Sequence, residues 1–221
     1  MRKIITTTFV SLDGVMQAPG GPDEDPTNGF KWGGWTFNYN DDMSGKIMND
    51  FMSQPFDLLL GRRTYEIFAA YWPYEKEGPV AESFNNTSKY VVSHNNVDLT
   101  WKNSNLISGD VVGELKKLKN QEGKDLWVYG SGNLIQTLLK NELVDKMYMW
   151  IMPVTFGRGK KLLEEGILAK AWKLTDVKTN SQGVIIASYE PAGEVKPGSF
   201  VQQAPSKEEL KRREKLAKES V

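Results

Sequence analysis

The amino-acid sequence predicts an α/β fold in which a mostly parallel β-sheet is covered by helices on both faces. Two observations support this fold class. Segments rich in β-branched and aromatic residues alternate with segments of helical periodicity along most of the chain, a pattern typical of βαβ units. The last two strand-like segments are separated only by residues 180–183. A connection this short predicts an antiparallel hairpin at one edge of the sheet.

The predicted elements follow this alternation in order. The strand segments are residues 3–10, 57–60, 89–93, 125–129, 146–154, 171–179 and 184–190, with a weaker candidate at 105–108. The helical segments are residues 43–52, 64–70, 80–85, 111–120 and 133–141. In an open α/β sheet, ligands bind outside the carboxyl ends of the strands, so we expect the functional residues there.

Two segments interrupt the alternation. Residues 17–42, rich in glycine, proline and aromatic residues, are too long for an ordinary connection and predict a loop packed over a pocket, with an aromatic plug or an oligomer contact as alternatives. After Tyr189, an extended linker precedes a charged helix in which Ser206 and Glu209 have capping-box spacing. We therefore expect a principal domain over residues 1–190 and a linker with a charged terminal helix over residues 191–221.

The composition limits the possible functions. Lys and Arg number 28 and Asp and Glu number 28, so no overall charge favours nucleic acid or an anionic membrane surface. The chain has no Cys and one His, which argues against disulfides, thiolate ligands and any familiar metal cluster. The apolar runs are far shorter than a membrane helix requires. We expect a soluble cytoplasmic protein without a metal or a nucleic-acid partner.

Three strand ends carry residues suited to a phosphate-rich ligand. They are Gly61-Arg62-Arg63-Thr64, Ser93-His94 and Gly130-Ser131-Gly132-Asn133. Glycine lets a ligand approach the backbone closely, and a helix N-terminus attracts phosphate through its unpaired N–H groups. Taken singly, each motif has an alternative: a solvated arginine pair, a surface histidine or an ordinary turn. Together they predict one extended anion-binding site, in which Ser93 and His94 could meet an additional phosphate such as the 2′-phosphate of NADP.

Four stretches of sequence give the chain a specific resemblance. They are SLDG at residues 11–14, DLLLGRRTYE at 57–66, VVSHN at 91–95 and the long stretch at 128–163. In this order they resemble the dihydrofolate reductase-like superfamily, and most closely the reductase domain of riboflavin biosynthesis, the carboxyl-terminal domain of the bifunctional deaminase-reductase. The resemblance implies a three-layer αβα fold with a sheet of about eight strands that binds NADPH and forms a homodimer.

The resemblance also implies roles for the three strand ends. Residues 61–64 match the loop that meets the cofactor pyrophosphate, Ser93 and His94 match the position that reads the 2′-phosphate, and residues 130–133 match the second glycine loop. The implied activity resembles that of 5-amino-6-(5-phosphoribosylamino)uracil reductase. Such an enzyme transfers a hydride to a C=N or C=O carbon, here of a pyrimidine- or pterin-like heterocyclic substrate.

The residues for catalysis and substrate binding follow less directly. Asp13 leaves the first strand near the expected nicotinamide and could orient the substrate or relay a proton, with an Asp-Gly turn as the alternative. Trp32, Trp35 and Phe37 could stack on a flat heterocycle. Cations that hold a substrate phosphate in riboflavin reductases are missing here, and Thr7 occupies a position usually held by lysine. Two functions therefore remain open: an NADPH-dependent reductase, or an NADPH-binding regulatory or non-catalytic protein on the same fold.

Overall fold

The computed structural model of the chain describes residues 1–200 and 204–219. Its strands are β1 Ile4–Ser11, β2 Phe56–Gly61, β3 Lys89–Val92, β4 Ser104–Ile107, β5 Asp125–Tyr129, β6 Lys146–Met152, β7 Trp172–Thr179 and β8 Ile185–Pro191. Its helices are α1 Asp42–Met52, α2 Arg62–Ala69, α3 Pro79–Asn86, α4 Val111–Asn120, α5 Gly132–Lys140 and α6 Lys207–Glu219. Strands and helices alternate through most of the chain, as the sequence predicts.

All eight strands belong to one sheet with the order β4-β3-β2-β5-β1-β6-β8-β7. The pairings from β4 through β6 are parallel, whereas β8 runs antiparallel to both β6 and β7. This arrangement confirms the predicted mostly parallel sheet and its antiparallel edge hairpin. The weak strand candidate is also present, as the edge strand β4.

Helices cover both faces of the sheet because alternate residues of the central strands point to opposite sides. Leu59 and Val128 pack with residues of α4 and α5 in one buried cluster. Their neighbours Leu58, Leu60 and Trp127 pack with residues of α1, α2 and α3 in another. A central strand with both faces buried reads as a continuous apolar run, which explains the sequence DLLL in β2. The result is the expected three-layer αβα architecture.

The strand β7 forms an exposed edge of this sheet. It pairs only with β8 in the strand order, and all its residues after Trp172 are exposed. The pairing register with β8 shifts between Leu174 and Asp176, which marks a bulge or a local irregularity.

The terminal helix α6 begins next to its predicted cap. The Ser206 hydroxyl accepts a hydrogen bond from the Glu209 N–H at 3.2 Å, and no residue of α6 is buried. Residues 201–203 of the predicted linker, and residues 220–221, lie outside the described residues. Within the described part of the chain, no helix combines the length and apolarity needed to cross a lipid bilayer.

Candidate functional site

A cleft of about 650 Å³ opens toward the carboxyl ends of β1, β2, β3 and β5. This volume is in the range of small-molecule and cofactor sites. The cleft is lined by all ten residues that the sequence assigns to the cofactor: Gly61, Arg62, Arg63, Thr64, Ser93, His94, Gly130, Ser131, Gly132 and Asn133. The fold thus brings the three strand ends together in one depression.

The first glycine junction leads directly from β2 into α2. The helix begins at Arg62, two residues earlier than the sequence predicts, and no side chain caps its N-terminus. Its first-turn N–H groups and the positive end of its dipole therefore remain available to an anion. Arg62 is paired with Glu66 at 2.7 Å, whereas Arg63 is exposed and has no ion-pair partner among the described residues. Arg63 is the cation of this pair that is free to meet a ligand.

The second glycine junction leads from β5 into α5. Gly130 has φ +72° and Ser131 has φ +70°, so two successive residues adopt the left-handed region. Glycine does so without strain, whereas an L-residue with a Cβ pays roughly 1–2 kcal/mol. No side chain caps the N-terminus of α5 either. The cleft therefore receives two helix N-termini with unpaired N–H groups.

The Ser131 hydroxyl connects the two junctions. It accepts a hydrogen bond from the Gly61 N–H at 2.8 Å and donates one to the Thr64 hydroxyl at 2.7 Å. The junctions approach closely here, since a Cβ at Gly61 would lie 3.2 Å from the Ser131 Oγ. These two bonds explain how a serine is accommodated in a left-handed conformation, because they offset its backbone strain.

This arrangement predicts different effects for two substitutions of Ser131. Ser131→Ala loses both hydrogen bonds and keeps the strained backbone, so it should lower the free energy of unfolding by roughly 1–3 kcal/mol. Ser131→Gly loses the same bonds but relieves about 1 kcal/mol of strain, so its loss should be smaller. Urea unfolding of both variants measures the difference. Equal stability of Ser131→Ala and the wild type would contradict the role of the hydroxyl.

The third strand end contributes Ser93 and His94. The Ser93 hydroxyl closes its own turn, because it donates to the Asn95 carbonyl at 2.7 Å and accepts from the Asn95 N–H at 3.1 Å. Its side chain is buried, whereas His94 is exposed at the rim of the cleft. Of this predicted phosphate-reading pair, the imidazole of His94 is the group more readily presented to a ligand.

Asp13 does not line the cleft. Its carboxylate accepts hydrogen bonds from the Ser11 hydroxyl at 2.5 Å, from the Gly157 N–H at 2.7 Å and from the Phe156 N–H at 3.3 Å. The Ser11 hydrogen bond is the largest cause of the lowered pKa of Asp13, and the two N–H groups act in the same direction. Asp13 therefore holds the turn after β6, which agrees with the alternative of an Asp-Gly turn.

The three aromatic residues expected to stack on a substrate do not line the cleft either. Trp32 and Trp35 pack against the ring of Phe156, with centroid distances of 5.5 and 5.4 Å. The Trp35 indole N–H donates to the Gln17 carbonyl, and the Phe37 side chain is 81% exposed. These contacts attach the long loop to the turn after β6, which is closer to the aromatic-plug alternative than to a stacking platform.

The apolar wall of the cleft comes from other elements. It consists of side chains from α1, α2, α3, β5 and the segment after α2: Met48, Phe68, Trp72, Val80, Phe84 and Tyr129. In the sequence, these residues follow the same hydrophobic periodicity as residues that face the core. The sequence therefore does not distinguish them as residues that face a ligand.

The first part of the long loop reaches the cleft, as expected for a loop packed over a pocket, although the sequence singled out none of these residues. Residues 17–20, Glu24 and Asp25 line the cleft together with Lys160. Asp25 and Lys160 form an ion pair at 2.5 Å. Burial would raise the pKa of Asp25, but the hydrogen bonds from Lys160 and Thr27 together outweigh it and lower the pKa.

The described residues contain no group of His, Asp or Glu arranged to hold a metal ion.

Comparisons with known proteins agree with this fold. The chain is 29% identical over 197 residues to the uncharacterized protein YyaP of Bacillus subtilis (strain 168), covering 85% of this chain and 94% of YyaP. A putative riboflavin biosynthesis protein from Shewanella sp. PV-4 has a TM-score of 0.60 at 19% identity, covering 86% of this chain and 99% of that one. Dihydrofolate reductase from Enterococcus faecalis, complexed with NADP(H), has a TM-score of 0.55 at 16% identity, covering 86% and 96%.

A family match extends over nearly the whole sheet. Residues 2–186 match the family described as the RibD C-terminal domain, a span that begins two residues before β1 and ends within β8. The two solved structures share the fold of this chain, with TM-scores of 0.60 and 0.55. The chain therefore belongs to the RibD C-terminal domain family, a riboflavin-biosynthesis-type reductase family with the dihydrofolate reductase-like fold.

Proposed function

We propose that the protein is an NADPH-dependent reductase that acts on a flat heterocycle of the pyrimidine or pterin kind. One observation carries the proposal: a single cleft joins two uncapped helix N-termini, a free arginine and an aromatic wall. The first two features suit the phosphates of a dinucleotide, and the third suits a flat ring. Membership of a reductase family supports the same reading.

The cofactor end of the cleft fits the chemistry of a dinucleotide. The pyrophosphate would lie across the N-termini of α2 and α5, where N–H groups and helix dipoles favour negative charge. A Cβ at Gly130 would meet no atom within 4 Å, so the backbone there is open to a ligand. Arg63 and His94 would meet the 2′-phosphate that distinguishes NADPH from NADH. When bound, the nicotinamide would supply the hydride.

The substrate end would use the apolar wall rather than the predicted tryptophans. Phe68 and Trp72 are only partly buried and stand beside the buried Phe84. Aromatic rings of this kind favour flat ligands through offset stacking and exclude water from the reacting atoms. Thr7 also lines the cleft, at the position where riboflavin reductases usually carry lysine. The proposal therefore favours a substrate without a phosphate at this position.

The test is the thermal stabilisation of the purified full chain by NADPH and, separately, by NADH. A ligand at 100 times its dissociation constant stabilises the native state by about 2.7 kcal/mol. We expect a clear rise of the melting temperature with NADPH and a much smaller one with NADH at the same concentration. No rise with either cofactor would overturn the proposal.

Two matched variants locate the binding site. Arg63→Ala should weaken NADPH binding by at least about tenfold, because a charged hydrogen bond contributes roughly 1.5–3 kcal/mol. Lys173→Ala removes an exposed cation from β7, on an edge of the sheet away from the cleft, and should leave NADPH binding unchanged. Equal weakening by the two variants would show that the cleft does not hold the phosphates.

A further inference from the structure

Glu24 differs from the other acidic side chains that line the cleft. The acidic side chains that line the cleft are Glu24, Asp25 and Glu164. Asp25 is bound to the ammonium group of Lys160, and Glu164 is exposed to solvent. Glu24 is half-buried, and within the described residues it has no cationic partner. A carboxyl group in this setting is free to exchange a proton with a ligand.

Backbone hydrogen bonds hold the Glu24 side chain by one oxygen. Its Oε2 accepts from the Gly20 N–H at 2.6 Å and from the Gly21 N–H at 3.2 Å. Among the described residues, none donates a hydrogen bond to Oε1. One oxygen therefore fixes the orientation of the group, while the other stays free for a ligand in the cleft.

The loop that carries Glu24 is anchored at several points. The Gln17 side-chain N–H groups donate to the carbonyls of Asp25 and Thr27, and its Oε1 accepts from the Lys160 N–H. The Gly34 N–H donates to the Ala18 carbonyl at 2.9 Å. At the start of the loop, a Cβ on Gly132 would lie 3.3 Å from the Met16 sulfur. These contacts fix the loop against both the second glycine junction and the segment after β6.

The surroundings of Glu24 raise the pKa of its carboxyl group above the ordinary value. Burial is the main cause of the raised pKa of Glu24; the N–H groups of Gly20 and Gly21 oppose it, and the negative charge of Asp25 adds to it. The other charged groups at this end of the cleft are Lys160, Lys161 and Glu164, on the segment packed against the loop. Lys160 forms its ion pair with Asp25 and is therefore not the cationic partner of Glu24.

Other titratable groups of the cleft are less suited to proton donation. The Tyr129 hydroxyl is fully buried without a hydrogen-bond partner among the described residues, and burial raises its pKa further. His94 follows β3, which is separated from β1 by two strands. Arginine keeps its proton at any physiological pH. Among the described residues that line the cleft, only Glu24 combines a free carboxyl oxygen with a fixed orientation.

We propose that Glu24 is a catalytic residue that donates the proton accompanying hydride transfer, an inference that rests on the proposed reductase function. The substrate carbon of a C=N bond accepts the hydride, and the electrons of that double bond move onto the nitrogen. The nitrogen takes the carboxyl proton of Glu24. The products are the reduced substrate, NADP⁺ and the Glu24 carboxylate, which regains a proton from water. The hydride brings two electrons and one proton to the carbon, and Glu24 brings a second proton to the nitrogen, so the C=N bond gains two electrons and two protons in all.

The first test measures the proton directly, without turnover. In the full chain labelled with carboxyl-¹³C glutamate, the Glu24 signal is assigned by its absence in Glu24→Gln and followed by NMR through the acidic and neutral range. We expect Glu24 to titrate clearly above its ordinary value of 4.5. Titration at or below that value would mean that the cleft does not favour the protonated carboxyl group, and the inference would be wrong.

The second test measures turnover with two probes, dihydrofolate and the Schiff base of diaminouracil and ribose, both of which carry a C=N bond. For a probe that the wild type reduces with NADPH, Glu24→Gln should lower kcat by at least about 100-fold. Wild-type kcat should fall as the pH rises through the pKa of Glu24, and this decline should be absent in the variant. Asp23→Asn, which removes an exposed carboxylate one residue earlier, should retain wild-type kcat.

The outcomes separate this inference from the proposed function. If NADPH gives no thermal stabilisation, the reductase function fails, and the proton-donor role fails with it. If NADPH stabilises the protein but Glu24→Gln retains kcat and the pH profile, only the role of Glu24 is wrong. If the wild type reduces neither probe, the NMR titration alone decides whether Glu24 carries a transferable proton.

Discussion

Arg2→Met is expected to lower the free energy of unfolding by about 3–5 kcal/mol, the cost of removing one partner from a buried ion pair. Arg2 is 3% exposed, and its guanidinium contacts the Asp57 carboxylate at 2.5 Å. It also donates to the Lys124 carbonyl and lies 5.2 Å from the centre of the Tyr90 ring. Without Arg2, the Thr87 hydroxyl is the one side-chain donor among the described residues that still contacts the buried Asp57 carboxylate. Urea or thermal unfolding measures the loss.

A second substitution tests whether the buried charge is the cause. In the Arg2→Met background, Asp57→Asn removes the uncompensated carboxylate and should recover at least about 1 kcal/mol. The control is Lys3→Met, which changes an exposed cation in the next residue and should alter stability by no more than about 0.5 kcal/mol. A loss below 1 kcal/mol for Arg2→Met would contradict the importance of the pair.

Gly33→Ala is expected to destabilise the protein by about 3 kcal/mol, because it forces a side chain against the backbone. A Cβ at Gly33 would lie 2.4 Å from the Pro22 carbonyl oxygen and 2.5 Å from the Gly21 carbonyl oxygen. Both obstacles are backbone atoms, so the loop segment that carries Gly33 must move away from the segment at Gly21 and Pro22. Since Gly21 donates to Glu24, the variant should also disturb the carboxyl group in the cleft.

The matched control for this prediction is another glycine, Gly45 in α1. A Cβ there would meet no atom within 4 Å, and alanine favours the helix by roughly 0.5–1 kcal/mol over glycine. The two substitutions should therefore shift the unfolding midpoint in opposite directions. A Gly33→Ala variant as stable as Gly45→Ala would refute the close backbone approach in the loop.

The fold could be predicted from the sequence because its signals are local. The run DLLL in β2 and the four-residue turn before β8 each report burial or chain reversal within a few residues. The glycine junctions were predictable for the same reason, since a strand, a glycine and a helix start are adjacent in the chain. The boundary of α2 was predicted less well. The helix begins at Arg62, directly after the last residue of β2, and not at residue 64, and helix ends are commonly uncertain by one or two residues.

The residues that could not be predicted depend on contacts between distant segments. In the sequence, Arg2 has the features of a solvated surface charge. The fold places it beside Asp57, which is 55 residues later in the chain. Glu24 lies in the segment that the sequence predicts to pack over a pocket, but nothing in its acidic, glycine- and proline-rich surroundings distinguishes it from its neighbours. The tryptophans of the long loop pack at a different position from the one expected, because their partner, Phe156, lies in the turn after β6. Aromatic residues report burial without indicating what they pack against.

The open edge at β7 bears on how copies of this protein meet. An unpaired strand edge is a template for adding a strand from another molecule, which leads to aggregation or to a continuous intermolecular sheet. Lys173, Asp176 and Lys178 place charges along this edge, and the register shift after Leu174 interrupts its regular pattern. Charged side chains and irregularities of this kind discourage strand addition. A homodimer of this chain should therefore form through another surface, leaving β7 in contact with water.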